Sequence, residues 1–221
     1  PGRVWPPLAA SAGCYLLGQA GFFTALRRVE ASRLSPLLGL KIAMLAGLVT
    51  LGFGQPLDQR QWLAVSLCVA AAAVMQWGRG GVPAVPMMLM VSCCLCFALA
   101  DIGIVRLIDG LQTGGGSDGT PLGRLHAGGL ALALTYAACG VLFAPLAPGL
   151  RPHSRQDWSS AAVYSTTWLL SMIGLYSCFG LVGTVFGNIL QSTRGIMSVV
   201  LGAGLAHLGW HDLEQRVDRA T

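Results

Sequence analysis

Charge is what this sequence has least of. Of its 221 residues only 10% are charged, and Lys41 is the single lysine beside 13 arginines. A soluble domain carries about 25% charged residues. So small a set cannot keep a whole surface wet, and it is bunched, which leaves apolar runs of membrane-spanning length between the charges. This excludes a soluble enzyme, a disordered chain and a nucleic-acid binder. The net charge of +5 comes from scattered arginines, with no basic stripe. The excess of Arg over Lys, with abundant Ala and Gly, reads as the composition of a GC-rich genome. Histidine is scarce as well: His126, His153, His207 and His211 all fall near segment boundaries and form no ligand cluster. Of seven cysteines, six lie inside apolar runs, with Cys93, Cys94 and Cys96 crowded into one. Disulfide frameworks belong to short, loop-rich secreted chains, and metal sites want spaced Cys/His ligands on a turn. Neither pattern is present, so the cysteines read as small helix-packing residues. No metal and no cofactor is expected. An initiating Met and a signal-peptide pattern are also missing, and a charged stretch follows the last apolar run. A fragment of a longer protein is expected.

What the sequence does contain is a series of apolar segments. A spanning helix needs roughly 20 mostly apolar residues, and seven candidates occupy about 7–27, 36–54, 61–77, 84–107, 125–147, 159–181 and 184–208. Trp5, Trp62, Trp77, Trp158 and Trp210 stand at their ends, where interfacial anchors belong. The runs are continuously apolar, which argues against a β-barrel. The fold class expected is all-α, a polytopic transmembrane helix bundle in a lipid bilayer. The glycine-rich loop at 114–119 lacks the Lys-Ser/Thr ending of a phosphate-binding loop. Gly183 and Gly187 form a G-x-x-x-G step, read as tight helix packing. Eight loop arginines fall on one side of the implied topology and four on the other. The positive-inside rule puts the richer side in the cytoplasm.

Two stretches carry a family resemblance. Residues 25–36 read ALRRVEASRLSP, an apolar helix follows, then GQPLD at 54–58, then Trp62 opens another span. Later, GNILQSTRG at 187–195 leads through an apolar run to HDLE at 211–214. Placing Leu57-Asp58 over Leu213-Glu214 also superposes Gly39 on Gly195, Leu34 on Leu190 and Leu45 on Leu201. This resembles the EamA-type domain of the drug/metabolite transporter superfamily. The resemblance implies ten helices in two inverted repeats of five, so that this chain is incomplete at both ends. Residues 1–80 would be the last three helices of the first repeat, and 81–221 the first four of the second. It implies a terminal acidic residue at Asp58 and at Glu214. It also implies cytoplasmic termini, which puts the arginine-rich side outside, against the arginine count.

Ionisable residues inside a span cost roughly 2.5–3.5 kcal/mol at its centre, and usually face a cavity or a partner. Arg194 lies deep in the seventh run, on a face with Gly187, Gln191, Ser198 and Gly202 and with Asn188 beside it. This stripe is either a cavity wall that holds an anionic group or a packing pair. Lys41, five residues beyond Pro36, either snorkels or faces a cavity. Asp101 is the one acidic residue well inside a run. It could neutralise Arg194 or Lys41, or exchange a coupling proton. Tyr164, Trp168 and Ser171 share a face of the sixth run, as Tyr15 and Gln19 do in the first. Such faces suit a planar solute or simply fill the bundle.

The functional expectation is a secondary transporter, a permease or exporter of a small organic metabolite across a bacterial inner membrane. It would work by alternating access and would not be an enzyme. Substrate contacts are expected from Arg194, Gln191, Asn188, Ser198, Lys41, Asp101, Tyr164 and Trp168. A proton is the candidate coupling ion, and a homodimer is compatible with the pattern. The alternatives are a flippase for a lipid-linked, phosphate-bearing intermediate, and a non-transporting membrane subunit.

Overall fold

A computed structural model describes residues 4–29, 34–52, 54, 56–76, 83–114, 120–145 and 154–207, with side chains other than those of 35–36, 75–76, 114 and 192–207. Among the described residues all regular structure is helical, and no strand occurs. Helix α1 is Trp5–Leu26. A 3₁₀ turn, Ser35–Gly39, leads into α2, Leu40–Gly47, which ends in a π turn, Leu48–Gly52. Then come α3, Gln59–Gln76, α4, Ala84–Gly114, α5, Pro121–Phe143, and α6, Arg155–His207.

Three segments are each long and apolar enough to cross a membrane: Ala84–Thr113, Pro121–Phe143 and Arg155–Gln191. The chain is thus a helical bundle of membrane-protein character. Helix α4 has 31 residues. At 1.5 Å per residue that is about 46 Å, longer than the hydrocarbon core.

Capping chemistry starts three of the helices. At α3, Asp58 Oδ1 accepts the Gln59 N–H and Gln61 Oε1 accepts the Asp58 N–H, both at 2.8 Å. At α5, Thr120 Oγ1 accepts the Gly123 N–H, and Pro121 fills the first helical position. At α6, Asp157 Oδ2 accepts from Ser154 N and Oγ, while Ser154 Oγ accepts the Asp157 N–H. This is reciprocal capping, in which orphan N–H groups of a first turn are satisfied by the chain itself. Asp58, the acidic position implied by the resemblance, is seen here as a cap residue.

Helix α4 is the central element, in contact with α1, α2, α5 and α6. Glycines let α1 approach it: a Cβ on Gly103 would stand 3.0 Å from the Ser11 nitrogen and 3.1 Å from the Pro7 carbonyl. Likewise Gly128 abuts the Tyr176 carbonyl and Gly180 the Arg124 carbonyl, which draws α5 and α6 together. Without a hydrophobic drive between helices in lipid, such close backbone contact supplies the packing.

Helix α6 is broken. Gly183 has φ 81° and ψ 173°, a conformation open to glycine. Across the bend Phe179 lies against Gly187. The two arms then join different cores. Met172, Tyr176 and Phe179 of the first arm pack with Leu8, Ile104, Leu107 and Ala131. Val185 of the second arm packs with Ile42, Leu45, Val65, Ala98 and Ile102, and Ile189 lies against them. The G-x-x-x-G step at 183–187 therefore does two things. Gly183 makes the break, and Gly187 gives room for the aromatic ring that closes it.

Candidate functional site

Beside this second core three polar residues meet. Asp101 stands near the middle of α4, 17 residues from Ala84 and 13 from Gly114. The expected span ended at about 107; the helix runs further, so Asp101 is deeper in its helix than its position in the apolar run suggests. Lys41 comes from the first turn of α2, and Asn188 lies five residues beyond the Gly183 break.

Lys41 Nζ lies 2.7 Å from Asp101 Oδ2. Asn188 Nδ2 donates to the same oxygen at 2.7 Å, and to the Thr184 carbonyl at 2.9 Å. Asp101 is 6% exposed and Asn188 2%. These are short, charge-assisted contacts in a setting that water screens little. The Lys41 ammonium also sits 6.0 Å from the Phe97 ring centroid, at the edge of cation–π range. Of the choices open to Lys41, the structure shows a partnered cation turned into the bundle. Of the candidate partners for Asp101, Lys41 is in place, and the side chain of Arg194 lies outside the described residues. The amide of Asn188 fixes the carboxylate from a third helix, and Thr184 fixes the amide.

Phe97 begins a row of rings. It fits over Gly18, where a Cβ would stand 2.7 Å from the ring. Tyr15 lies 6.3 Å away by centroid and Tyr136 a further 6.0 Å. Gln19 Nε2 donates to the Tyr15 hydroxyl at 3.0 Å. The Trp168 indole N–H donates to the Tyr136 hydroxyl at 2.9 Å. Tyr164 stacks on Trp168 at 6.1 Å. The row crosses α4, α1, α5 and α6 and ends at the surface, where Tyr164 is 63% exposed. Such rings keep tilted or offset geometries because their faces are electron-rich and their edges electron-poor.

The structure thus brings together Lys41, Asp101 and Asn188, and connects Trp168 and Tyr164 to them only through the intervening rings. Gln191, half-buried, lies one turn beyond Asn188. Arg194 and Ser198 follow on the helical course of α6, and their side chains lie outside the described residues. His211 and Glu214, the second acidic phrase, lie outside them too. Among the described residues no group of His, Cys, Asp and Glu could hold a metal ion.

Phe97, Tyr136 and Thr184 carry weight in this site without having stood out in the sequence. Phe97 was one more apolar residue in an apolar run. Tyr136 offered no polar neighbour at helical spacing. Thr184 has one signal, its place directly after Gly183, where a helix restarts.

Away from this centre, an open apolar groove of about 470 Å³ runs between the end of α2 and α4, lined by Met44, Gly47, Leu48, Leu51, Gly52 and Leu95. It carries no charged group.

Comparison with protein-family models, with curated proteins and with solved structures finds no match to this chain.

Proposed function

We propose that the chain is the substrate-handling part of a membrane transporter that moves a small organic solute by alternating access. One observation carries this reading. A carboxylate, an ammonium and an amide converge at the middle of a membrane-length helix, supplied by three different helices, one of them broken next to the site. Charges so placed are costly, an ionisable residue inside a span marks a functional site by default, and a buried pair adds little to stability. Broken helices beside such groups are a recurring build of transporter sites, because the break frees side chains and backbone to face a cavity. The seven helical segments, counting α6 as two, fit the two inverted EamA-like repeats of the drug/metabolite transporter superfamily. In that reading the bacterial inner membrane is the location.

The test is flux. The protein, reconstituted in liposomes of bacterial phospholipid, is offered a panel of labelled small acids, amines and neutral metabolites. Flux of at least one solute above that of empty liposomes is expected. A panel-wide result equal to empty liposomes would count against a transporter and favour a non-transporting subunit.

The flippase is the second reading, on the strength of the groove at Met44 and Leu95. An acyl chain suits its apolar walls, and Lys41 lies one helical turn from Met44. Movement of a lipid-linked phosphate in the same liposomes, with no soluble solute moved, would select it.

A further inference from the structure

We infer that the Asp101 centre recognises the ammonium group of a small aromatic amine, with the Lys41 ammonium seated there as a stand-in until the solute arrives. This rests on the transporter reading of the same site and adds the class of its solute.

The two members of the ion pair are not equally free to move. Asp101 has a short side chain on the central helix, and its Oδ2 is held by a second donor, Asn188, which is itself held by Thr184. Lys41 has a four-carbon stem on a short helix that begins in a 3₁₀ turn. Its side chain is 14% exposed against 9% for Asp101. The carboxylate is therefore the fixed half of the pair and the ammonium the exchangeable half. An anionic solute would have to draw Asp101 away from two donors. A cationic solute needs only to take the place of one flexible ammonium, which can reach back toward the helix end along its own stem.

What surrounds the exchangeable cation points the same way. The cation in place faces one carboxylate oxygen and the face of Phe97, an acceptor set suited to a positive group. From Phe97 the row of Tyr15, Tyr136, Trp168 and Tyr164 continues to the surface at centroid spacings of 6.0–6.3 Å where rings adjoin. The row places aromatic surface next to the exchangeable cation, against which the flat body of such a solute would lie. A solute with an ammonium at one end and an aromatic ring at the other matches the carboxylate and the row together. On exchange Asp101 keeps one cationic partner, and the displaced Lys41 ammonium carries its charge away along its own stem.

Three probes that share an indole ring separate the charge requirement from the ring: tryptamine, indole-3-ethanol and indole-3-acetate. Binding to the detergent-purified protein is read by thermal shift and by titration calorimetry. Tryptamine is expected to raise the unfolding midpoint, and the alcohol and the acid are not. Lys41→Met, which removes the competitor, is expected to bind tryptamine about tenfold more tightly. The double variant Lys41→Met/Asp101→Leu keeps an apolar pair of similar volume, so it remains folded, and it is expected to lose tryptamine binding. Equal shifts by all three probes, a shift by the acid alone, no shift by any, or undiminished binding in the double variant would overturn the inference. The two readings fail separately. Flux of acids or neutral solutes without amine binding would leave the transporter standing and remove the amine. Amine binding without flux of any solute would do the reverse.

Discussion

At the residue scale the structure turns on one carboxylate. Asp101 takes two donors on a single oxygen at 2.7 Å each, from Lys41 and Asn188. Removing one partner of a buried pair leaves the other charge uncompensated, which costs about 3–5 kcal/mol, whereas replacing both with apolar residues is often neutral. Lys41→Met alone is therefore expected to lower stability by about that amount, and Lys41→Met/Asp101→Leu to restore it except for about 1–3 kcal/mol that the Asn188 N–H costs without its acceptor. Urea or thermal unfolding in detergent measures this; additive losses in the double variant would show that the two residues do not act as a pair. The helix starts offer a smaller test. Asp58→Ala removes the acceptor for Gln59 and is expected to cost about 0.5–2 kcal/mol in the same unfolding experiment. The three polar residues of the centre were visible in the sequence as charges or amides out of place in apolar runs. Their convergence was not, because it depends on which way the second arm of α6 turns after Gly183. Asp101 had Lys41 and Arg194 as candidate partners in the sequence, and the packing of α2 on α4 is what brings Lys41 to it. The cap at Asp58 was legible as a short D-x-x-Q phrase directly before an apolar run.

At the element scale glycine decides how the helices meet. Gly103 gives α1 and α4 a backbone contact, since a Cβ there would meet main-chain atoms at 3.0–3.1 Å. Gly140, on an open face of α5, would meet nothing within 4 Å. Gly103→Ala is expected to destabilise by roughly 1–3 kcal/mol through overpacking. Gly140→Ala is expected to be neutral or to stabilise by up to about 1 kcal/mol from helix propensity. Melting curves of the two variants side by side check the contrast, and equal effects would contradict the α1–α4 contact. Gly183→Ala forces a side chain into a positive-φ backbone and is expected to cost about 1–3 kcal/mol. It is also expected to loosen the Asn188–Asp101 contact, visible as a drop in stability beyond that of Asn188→Ala alone. The break was legible in the sequence as a gap between two apolar runs at 182–183. Its sharpness was not, because a G-x-x-x-G step reads equally well as a straight packing face. The same composition that made seven segments easy to see, small and apolar residues throughout, erased the periodicity that would have told inward faces from outward ones.

At the scale of the whole molecule, the few charges and the long helices belong to one design. Three segments reach membrane-spanning length, and most charged residues of the sequence lie at segment ends and loops. Lys41 and Asp101, with Arg194, are what remains inside the apolar runs. A bundle held by close glycine contacts, with one broken helix donating to a buried carboxylate, has its polar groups beside the second of its helical cores. The fold class was therefore readable from composition and segment length, while the site needed coordinates, since each of its members comes from a different helix. The most direct measurement is solute flux in liposomes for wild type and for Lys41→Met/Asp101→Leu, both verified as folded by their unfolding midpoints. The account predicts that the double variant inserts and folds like wild type and moves no solute. Wild-type flux in that variant would contradict it, and would make the buried pair a matter of packing.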